Sequence, residues 1–182
     1  MEKTEQEDIA EFRSLITNAA KVVVFTGAGI STESGIPDFR SPGGIWAKNQ
    51  PIDFGEFLAS EEMRRESWRR KFATEETISR AEPNKGHLAI ARWVSAGKVS
   101  HIITQNVDGL HQRSGVPDEQ IIELHGNSTY ASCLDCAAHH ELDPIREAFR
   151  RDETLPVCMK CGGIVKTATI SFGQALPETE MV

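Results

Sequence analysis

The chain has no apolar stretch near the roughly 20 residues that a membrane-crossing helix requires, so its sequence offers no candidate span. It also lacks any basic run, and its formal net charge is −7 over 182 residues. Affinity for nucleic acid comes mainly from neutralised phosphates. A direct nucleic-acid binder is therefore not expected, and a cationic or neutral partner such as a lysine-rich protein tail is favoured. The opening Met1-Glu2-Lys3-Thr4-Glu5-Gln6-Glu7-Asp8 is too acidic and polar for a secretory leader, and the expected address is cytoplasmic. Cysteine is scarce, with four in all, and what matters is where they stand.

All four fall in two pairs, Cys133-x-x-Cys136 and Cys158-x-x-Cys161, with 21 residues between the pairs. Thiolates so spaced come from two tight knuckles and close a tetrahedral shell around zinc, while the segment between them is too small to fold on a core of its own. Gly162 and Gly163 supply the backbone freedom that a metal knuckle often needs. The competing readings are two disulfides or four free thiols, which a leaderless chain disfavours. His139 and His140 read as a solvated basic spot. With 39% hydrophobic residues the chain can bury a core in one larger domain plus this small module.

The run Val22-Val23-Val24-Phe25-Thr26 reads as a buried strand that breaks into Gly27-Ala28-Gly29-Ile30-Ser31. A strand ending in a glycine turn lets backbone N–H groups approach a ligand, and a following helix N-terminus favours a phosphate. The third glycine of the dinucleotide fingerprint is absent, with Thr32 in its place. A plain strand-to-helix turn in which glycine supplies positive φ is the alternative. Asp38, Phe39 and Arg40 follow a turn stiffened by Pro37, and together they can stack on a ring and pair with phosphate or ribose oxygens.

Periodicity predicts a helix over 7–19 with Ile9, Phe12, Leu15, Ile16 and Ala19 on one face, then strands at 21–25, 102–104 and 121–124. Further helices are predicted over 87–95 and 145–149, the second with Pro144 in its first turn. Strands alternating with helices imply an α/β fold with a doubly wound parallel sheet. The segment between Phe25 and Ser100 is too long for one crossover helix, so an insertion leaves the sheet there. It holds a glycine-rich loop around Trp46, suited to a lid or to a surface turn, and a helix over 57–79 with Leu58, Met63, Trp68 and Phe72 as core contacts.

Gln105, Asn106 and Asp108 emerge where strand 102–104 ends, the edge at which open α/β sheets place ligands. A carboxamide and a carboxylate there can hold ribose hydroxyls and an amide, although an Asx turn closed by Gly109 is an equal reading. His125 follows strand 121–124 and should reach the same edge, where an imidazole can act as a base; alone, such a histidine is more often packed or on the surface. His87, His101 and His111 lack such a setting, with His87 read as part of a helix start at Pro83-Asn84-x-Gly86-His87.

Gly27 to Arg40, Thr104-Gln105-Asn106-Val107-Asp108-Gly109-Leu110-His111, Leu124-His125-Gly126, the paired cysteines and Phe172-Gly173 occur in the order found in the sirtuin (Sir2) family. From about Lys21 to Glu178 the chain resembles these NAD-dependent protein lysine deacylases. The resemblance implies a Rossmann-like NAD-binding domain from 1–40, 84–130 and 164–182, a cofactor-binding loop and helical insertion at 41–83, and a zinc-binding module at 131–163. It implies that Gly27, Ala28, Gly29, Ser31, Asp38, Phe39, Arg40, Trp46, Gln105, Asn106, Val107 and Asp108 hold NAD, with His125, Asn106 and Asp108 catalytic. Ile170, Phe172 and Gly173 would meet the acyl-lysine peptide, which would add as an extended strand, and Cys133, Cys136, Cys158 and Cys161 would hold structural zinc.

The implied reaction consumes NAD. The acyl oxygen attacks the ribose carbon that releases nicotinamide, His125 takes the proton of the ribose hydroxyl that captures the imidate, and the products are free lysine, nicotinamide and an O-acyl-ADP-ribose. Water must be kept out. Ile45, Trp46, Ala47 and Lys48 stand where members acting on anionic acyl groups carry Tyr and Arg, so neutral acyl groups are expected. Val107 replaces a common Ile and Gln174 a common Glu. The family continues beyond Glu178 into strands that also hold NAD. The sheet is therefore expected to be incomplete at its C-terminal side, with an unpaired apolar edge, and the 182-residue chain to turn over weakly or not at all. Alternatives are ADP-ribosyl transfer to protein or water, and a non-catalytic zinc module that docks a partner. A dehydrogenase is disfavoured, having no use for the Asn106, Asp108 and His125 cluster.

Overall fold

A computed structural model describes residues 4–38 and 50–176. Helix α1 (Glu5–Asn18) begins at Thr4, whose side chain accepts from the Glu7 N–H while the Glu7 carboxylate accepts from the Thr4 N–H at 2.8 Å, a reciprocal cap. The predicted apolar face forms but is not covered: Phe12 is 59% exposed, and Ile9 and Leu15 are also exposed. The Lys98 ammonium donates to the carbonyls of Thr17 and Ala19 and ties the helix end to the sheet.

Strands β1 (Val22–Thr26), β2 (Val99–Thr104) and β3 (Ile121–Glu123) form a parallel sheet in that order. Its register brings Thr26 opposite Thr104, and Thr104 opposite Glu123, so the three strands end at one level. Helix α4 (Lys85–Ser95) packs Ile90 and Val94 against Val99, Ile102 and Ile121, burying one face of the sheet. The alternate residues Val23 and Phe25 on β1 are exposed. Among the described residues β1 pairs only with β2, which leaves the expected open apolar edge.

The insertion between β1 and β2 is helical as expected, but it is broken. Helices α2 (Phe54–Ala59) and α3 (Glu61–Arg80) meet at Ser60, which caps the first and whose hydroxyl accepts from the Met63 N–H at the start of the second. The break turns Phe57 inward (2% exposed) and leaves Leu58, expected in the core, 42% exposed. Trp68 and Phe72 pack as expected, stacked at 5.4 Å, with Phe149 5.7 Å beyond Phe72.

A second, antiparallel sheet pairs β4 (Gly126–Cys133) with β5 (His139–His140) and β6 (Val165–Thr169). Helix α6 (Leu142–Asp152) covers it, after the short α5 (Leu110–Arg113) near the first sheet. Cys133, Cys158, Trp68, Leu142, Ile145, Phe149 and Val165 share one core, so α3 and the cysteine knuckles are packed together. Paired Arg–Glu clamps reinforce this contact, Arg69 on Glu153 and Arg146 on Glu75, each with two nitrogens on two oxygens. The Lys166 ammonium donates to the Thr169 carbonyl and lies 5.9 Å from the Phe57 ring, which docks α2 on β6. No helix among the described residues is long and apolar enough to cross a membrane.

Candidate active site and metal centre

The glycine bend is not the conformation its composition suggests. Gly27 has extended backbone (φ −140°, ψ −171°), and Ala28–Ser34 continues as a short 3-10 helix, so neither Gly27 nor Gly29 is there for positive φ. What they leave is space. A Cβ on Gly29 would meet nothing within 4 Å, and one on Gly27 only the Gln105 Oε1 at 3.9 Å. The protein's own packing does not require glycine here, whereas a ligand lying against this backbone does. Asn84, at the start of α4, donates to the Ile30 carbonyl at 2.6 Å and to the Ser34 hydroxyl at 3.0 Å and so clamps the bend from outside the sheet.

The ends of β1 and β2 converge on one polar knot. The Asn106 amide donates to the Gly27 carbonyl (3.1 Å) and to Ser31 Oγ (3.0 Å), the Ser31 hydroxyl donates to Asp108 Oδ2 (2.7 Å), and the other Asp108 oxygen accepts the Leu110 N–H. Asn106, Asp108 and Ser31 are all buried. The Asx turn and the ligand site are therefore one object, since the same side chains that close the turn line a cleft of about 620 Å³ with Ala28, Ser31, Pro37, Val107, Thr169 and Phe172 among its walls.

His125 stands at the same strand ends. Its Nδ1–H donates to the Gln105 carbonyl 3.0 Å away, and its own carbonyl accepts the Ile170 N–H. Because a carbonyl can only accept, the neutral ring carries its proton on Nδ1 and presents Nε2 as a lone pair, the form a general base needs. The ring is half-buried and is not among the residues lining the cleft. Thr167, Thr169 and Ser171 alternate into that cleft, and Phe172 joins them while its carbonyl accepts the Phe54 N–H. Gly173 has φ +79°, and a Cβ there would press on the Asp53 carboxylate. Asp38 follows the cleft-lining Pro37; Phe39, Arg40 and Trp46 lie outside the described residues.

Four functional neighbours escaped the sequence reading. Thr26 Oγ1 donates to Thr104 Oγ1 at 2.8 Å, Thr104 Oγ1 accepts the Asn106 N–H, and His111 Nε2 lies 2.9 Å from Thr26 Oγ1. His87 packs against His111 with ring centroids 5.0 Å apart. The signal available was threonine at the last position of two strands, visible only once their pairing is known. His111 is thus a buried neighbour of the site, not the unremarkable histidine expected from sequence.

Burial pushes the His111 pKa from 6.5 down to about 4, aided by the neighbouring His87 and opposed by Asp108. A histidine held neutral in the fold stabilises above its ordinary pKa and loses that contribution as pH falls from 6.5 towards 4. The loss reaches about 3 kcal/mol over that window, of which about 1 kcal/mol falls between pH 7.5 and 5.5. Urea midpoints at those two pH values should therefore separate for the wild type and lie closer together in His111→Gln, where His87, whose pKa burial also lowers, still contributes. Equal separations in both proteins would contradict this assignment.

The four cysteine Sγ atoms all lie within 4.8 Å of one another, with Cys133–Cys161 at 3.4 Å and Cys136–Cys158 at 3.7 Å, and none is in a disulfide. Zn–S bonds of about 2.3 Å in a tetrahedron place sulfurs close to these spacings, so the thiols fit a structural zinc. Burial raises the Cys158 pKa, but N–H donors from Lys160 and Cys161, with His140 and Cys136, outweigh it and bring the thiol to about 6. The expected solvated spot is half right: His139 is exposed and bonds Glu141, whereas His140 is half-buried with its Nε2 sealed in.

The profile of the Sir2 family matches residues 27–182. The NAD-dependent protein deacetylase of Rhodopseudomonas palustris is 54% identical over 173 residues, covering 95% of this chain and 68% of that protein. NAD-dependent protein deacetylase 1 of Bradyrhizobium diazoefficiens is 58% identical over 167 residues, covering 92% and 65%. The chain thus spans about two thirds of the length of these relatives. Among solved structures, Sir2 with a p53 peptide and NAD+ superposes with a TM-score of 0.79 at 33% identity, covering 95% of this chain and 68% of that one. Sir2Tm bound to a propionylated peptide gives 0.79 at 31%, again covering 95% and 68%.

Proposed function

Because the chain belongs to the Sir2 family, we propose that it is the NAD-binding and metal-binding part of an NAD-dependent protein lysine deacylase, an enzyme that transfers an acyl group from lysine to ADP-ribose. The observation that carries this reading is the convergence of the bare backbone at Gly27 and Gly29, the Asn106–Ser31–Asp108 knot and the Nδ1-anchored His125 at one sheet edge. Gly27, Ala28, Gly29 and Ser31, with Asp38, Phe39, Arg40 and Trp46, hold NAD along the bend. Gln105, Asn106, Val107 and Asp108 position the ribose and the nicotinamide carboxamide.

The Asp108 carboxylate lines the cleft, held by the Ser31 hydroxyl and the Leu110 N–H, and would steady positive charge developing on a ribose carbon placed there. His125 Nε2 then accepts the proton of the ribose hydroxyl that captures the acyl carbon. The relatives' names and the solved peptide complexes support acyl-lysine proteins as partners and neutral acyl groups as cargo. Ile170, Phe172 and Gly173 form the peptide-binding edge, along which an extended substrate adds as a strand. In this reading 1–40, 84–130 and 164–182 serve the dinucleotide, 41–83 is the cofactor-binding loop and helical insertion, and 131–163 holds zinc. Four unpaired thiols suit the reducing cytoplasm, where we place the protein, away from membranes and nucleic acid.

The test is nicotinamide release from NAD with an acetyl-lysine peptide, with products resolved by mass. From the 182-residue chain, weak release with an O-acetyl-ADP-ribose product, lost in His125→Ala, is expected, and robust saturable release would contradict the weak turnover expected from the sequence. Free ADP-ribose or an ADP-ribosylated peptide as the sole product would replace deacylation by glycohydrolase or transferase chemistry. Unchanged release in His125→Ala would remove the imidazole from the mechanism.

A further inference from the structure

Two buried histidines behind the site have unsatisfied nitrogens of opposite hydrogen-bonding character. His87 and His111 are 0% and 2% exposed, and their rings are in contact. His87 Nδ1 accepts the Asn84 N–H at 3.4 Å, so the neutral ring carries its proton on Nε2. On the other side, Thr26 spends its single hydroxyl proton on Thr104 Oγ1, so the contact of Thr26 with His111 Nε2 requires Nε2–H to be the donor. His111 Nδ1 is then a bare lone pair. Among the described residues neither His87 Nε2 nor His111 Nδ1 has a partner. One is a donor and the other an acceptor, on neighbouring rings sealed from solvent.

We infer that His87 and His111 are positioning residues: His87 packs against the His111 ring, and a directed chain runs from His111 Nε2–H to Thr26 and from Thr26 O–H to Thr104, whose Oγ1 holds the Asn106 N–H. The chain fixes the backbone of Asn106, whose side chain in turn anchors the Gly27 carbonyl and Ser31. The opposite polarity, with Thr26 donating to His111, would withdraw the single Thr26 hydroxyl proton from Thr104 Oγ1. The groups facing the pair are Thr26, Asn84 and the nearby Asp108. Two rings that do not touch the dinucleotide thereby set where Asn106 stands. Their effect on NAD binding rests on the deacylase reading, but their tautomers do not.

Two measurements on the full chain separate these parts. Long-range ¹H–¹⁵N spectra of histidine-labelled protein at pH 7 should show both rings neutral and both protonated at Nε2; an Nδ1–H tautomer or a charged ring at His111 would overturn the pair. Amide exchange at Asn106 should accelerate roughly tenfold in Thr26→Val and His111→Phe, and return towards wild type in His111→Gln, whose amide replaces the Nε2 donor. NAD affinity by calorimetry should fall about tenfold in the first two variants and recover in the third. Exchange and affinity unchanged in both Thr26→Val and His111→Phe would overturn the positioning role. Wild-type protein that binds no NAD would instead refute the dinucleotide reading, leaving the spectra and exchange rates to decide on the pair.

Discussion

Stripping the metal from the wild type, or making Cys136→Ser, is expected to lower the thermal midpoint by about 10 °C and to abolish the near-ultraviolet signal of Trp68. The knuckles that carry the four thiols have little regular structure of their own. Strand β5 is two residues long, and the knuckle joining Val157 to Ile164 is a single bridge. Two of the four sulfurs belong to the core itself, since Cys133 and Cys158 pack with Trp68, Ile145 and Phe149. Metal release therefore opens a hydrophobic core, not a surface loop.

Structural zinc contributes on the order of 10–16 kcal/mol in isolated peptides. If a third of this survives as net stability here, a midpoint shift of about 7–20 °C follows at about 2–4 °C per kcal/mol. Calorimetric scans with and without chelator, beside elemental analysis for one zinc per chain, check the prediction. A fully demetallated chain with an unchanged midpoint would contradict it.

Gly126→Ala is expected to destabilise the protein by about 4 kcal/mol or more, enough to leave much of it insoluble. Gly126 has φ +70°, and a Cβ there would sit 2.0 Å from the Ala168 carbonyl oxygen, a backbone atom that cannot rotate away. Relief requires β6 to move, which breaks the Gly126–Thr169 pairing and the Ile170 N–H bond to the His125 carbonyl. Gly29→Ala is the informative partner, because its Cβ meets nothing. It should unfold at the wild-type urea concentration yet bind NAD at least tenfold more weakly, since only a ligand would notice the added methyl group. Equal stability of Gly126→Ala and wild type would show that β6 yields far more easily than its pairing suggests.

How much of this was legible from the residues differs by feature, for physical reasons. The cysteine centre was, because metal geometry constrains spacing along the chain. The parallel strands were, because buried strands are apolar runs, and Asn84 could be read as a helix start for the same local reason. His125 became conspicuous only beside the other motifs, since a lone imidazole carries no local signature. The break at Ser60 is not legible, because Phe57 and Leu58 are adjacent apolar residues and nothing local decides which of them turns inward. Thr26, Thr104 and His111 were missed because their meaning comes from a register joining residues 78 and 85 positions apart. The bare face of α1 shows the converse, since periodicity reports which residues could be covered and not what covers them.

Strand β3 stops at Glu123 and β4 starts at Gly126, so His125 rides on the two-residue joint where the parallel sheet hands over to the antiparallel one. One neighbour grips it from each side, Gln105 through the ring and Ile170 through the backbone. The imidazole is thereby mounted on a fulcrum. A shift of β4 against β3 would therefore move the imidazole and leave the glycine bend at 27–29 where it stands.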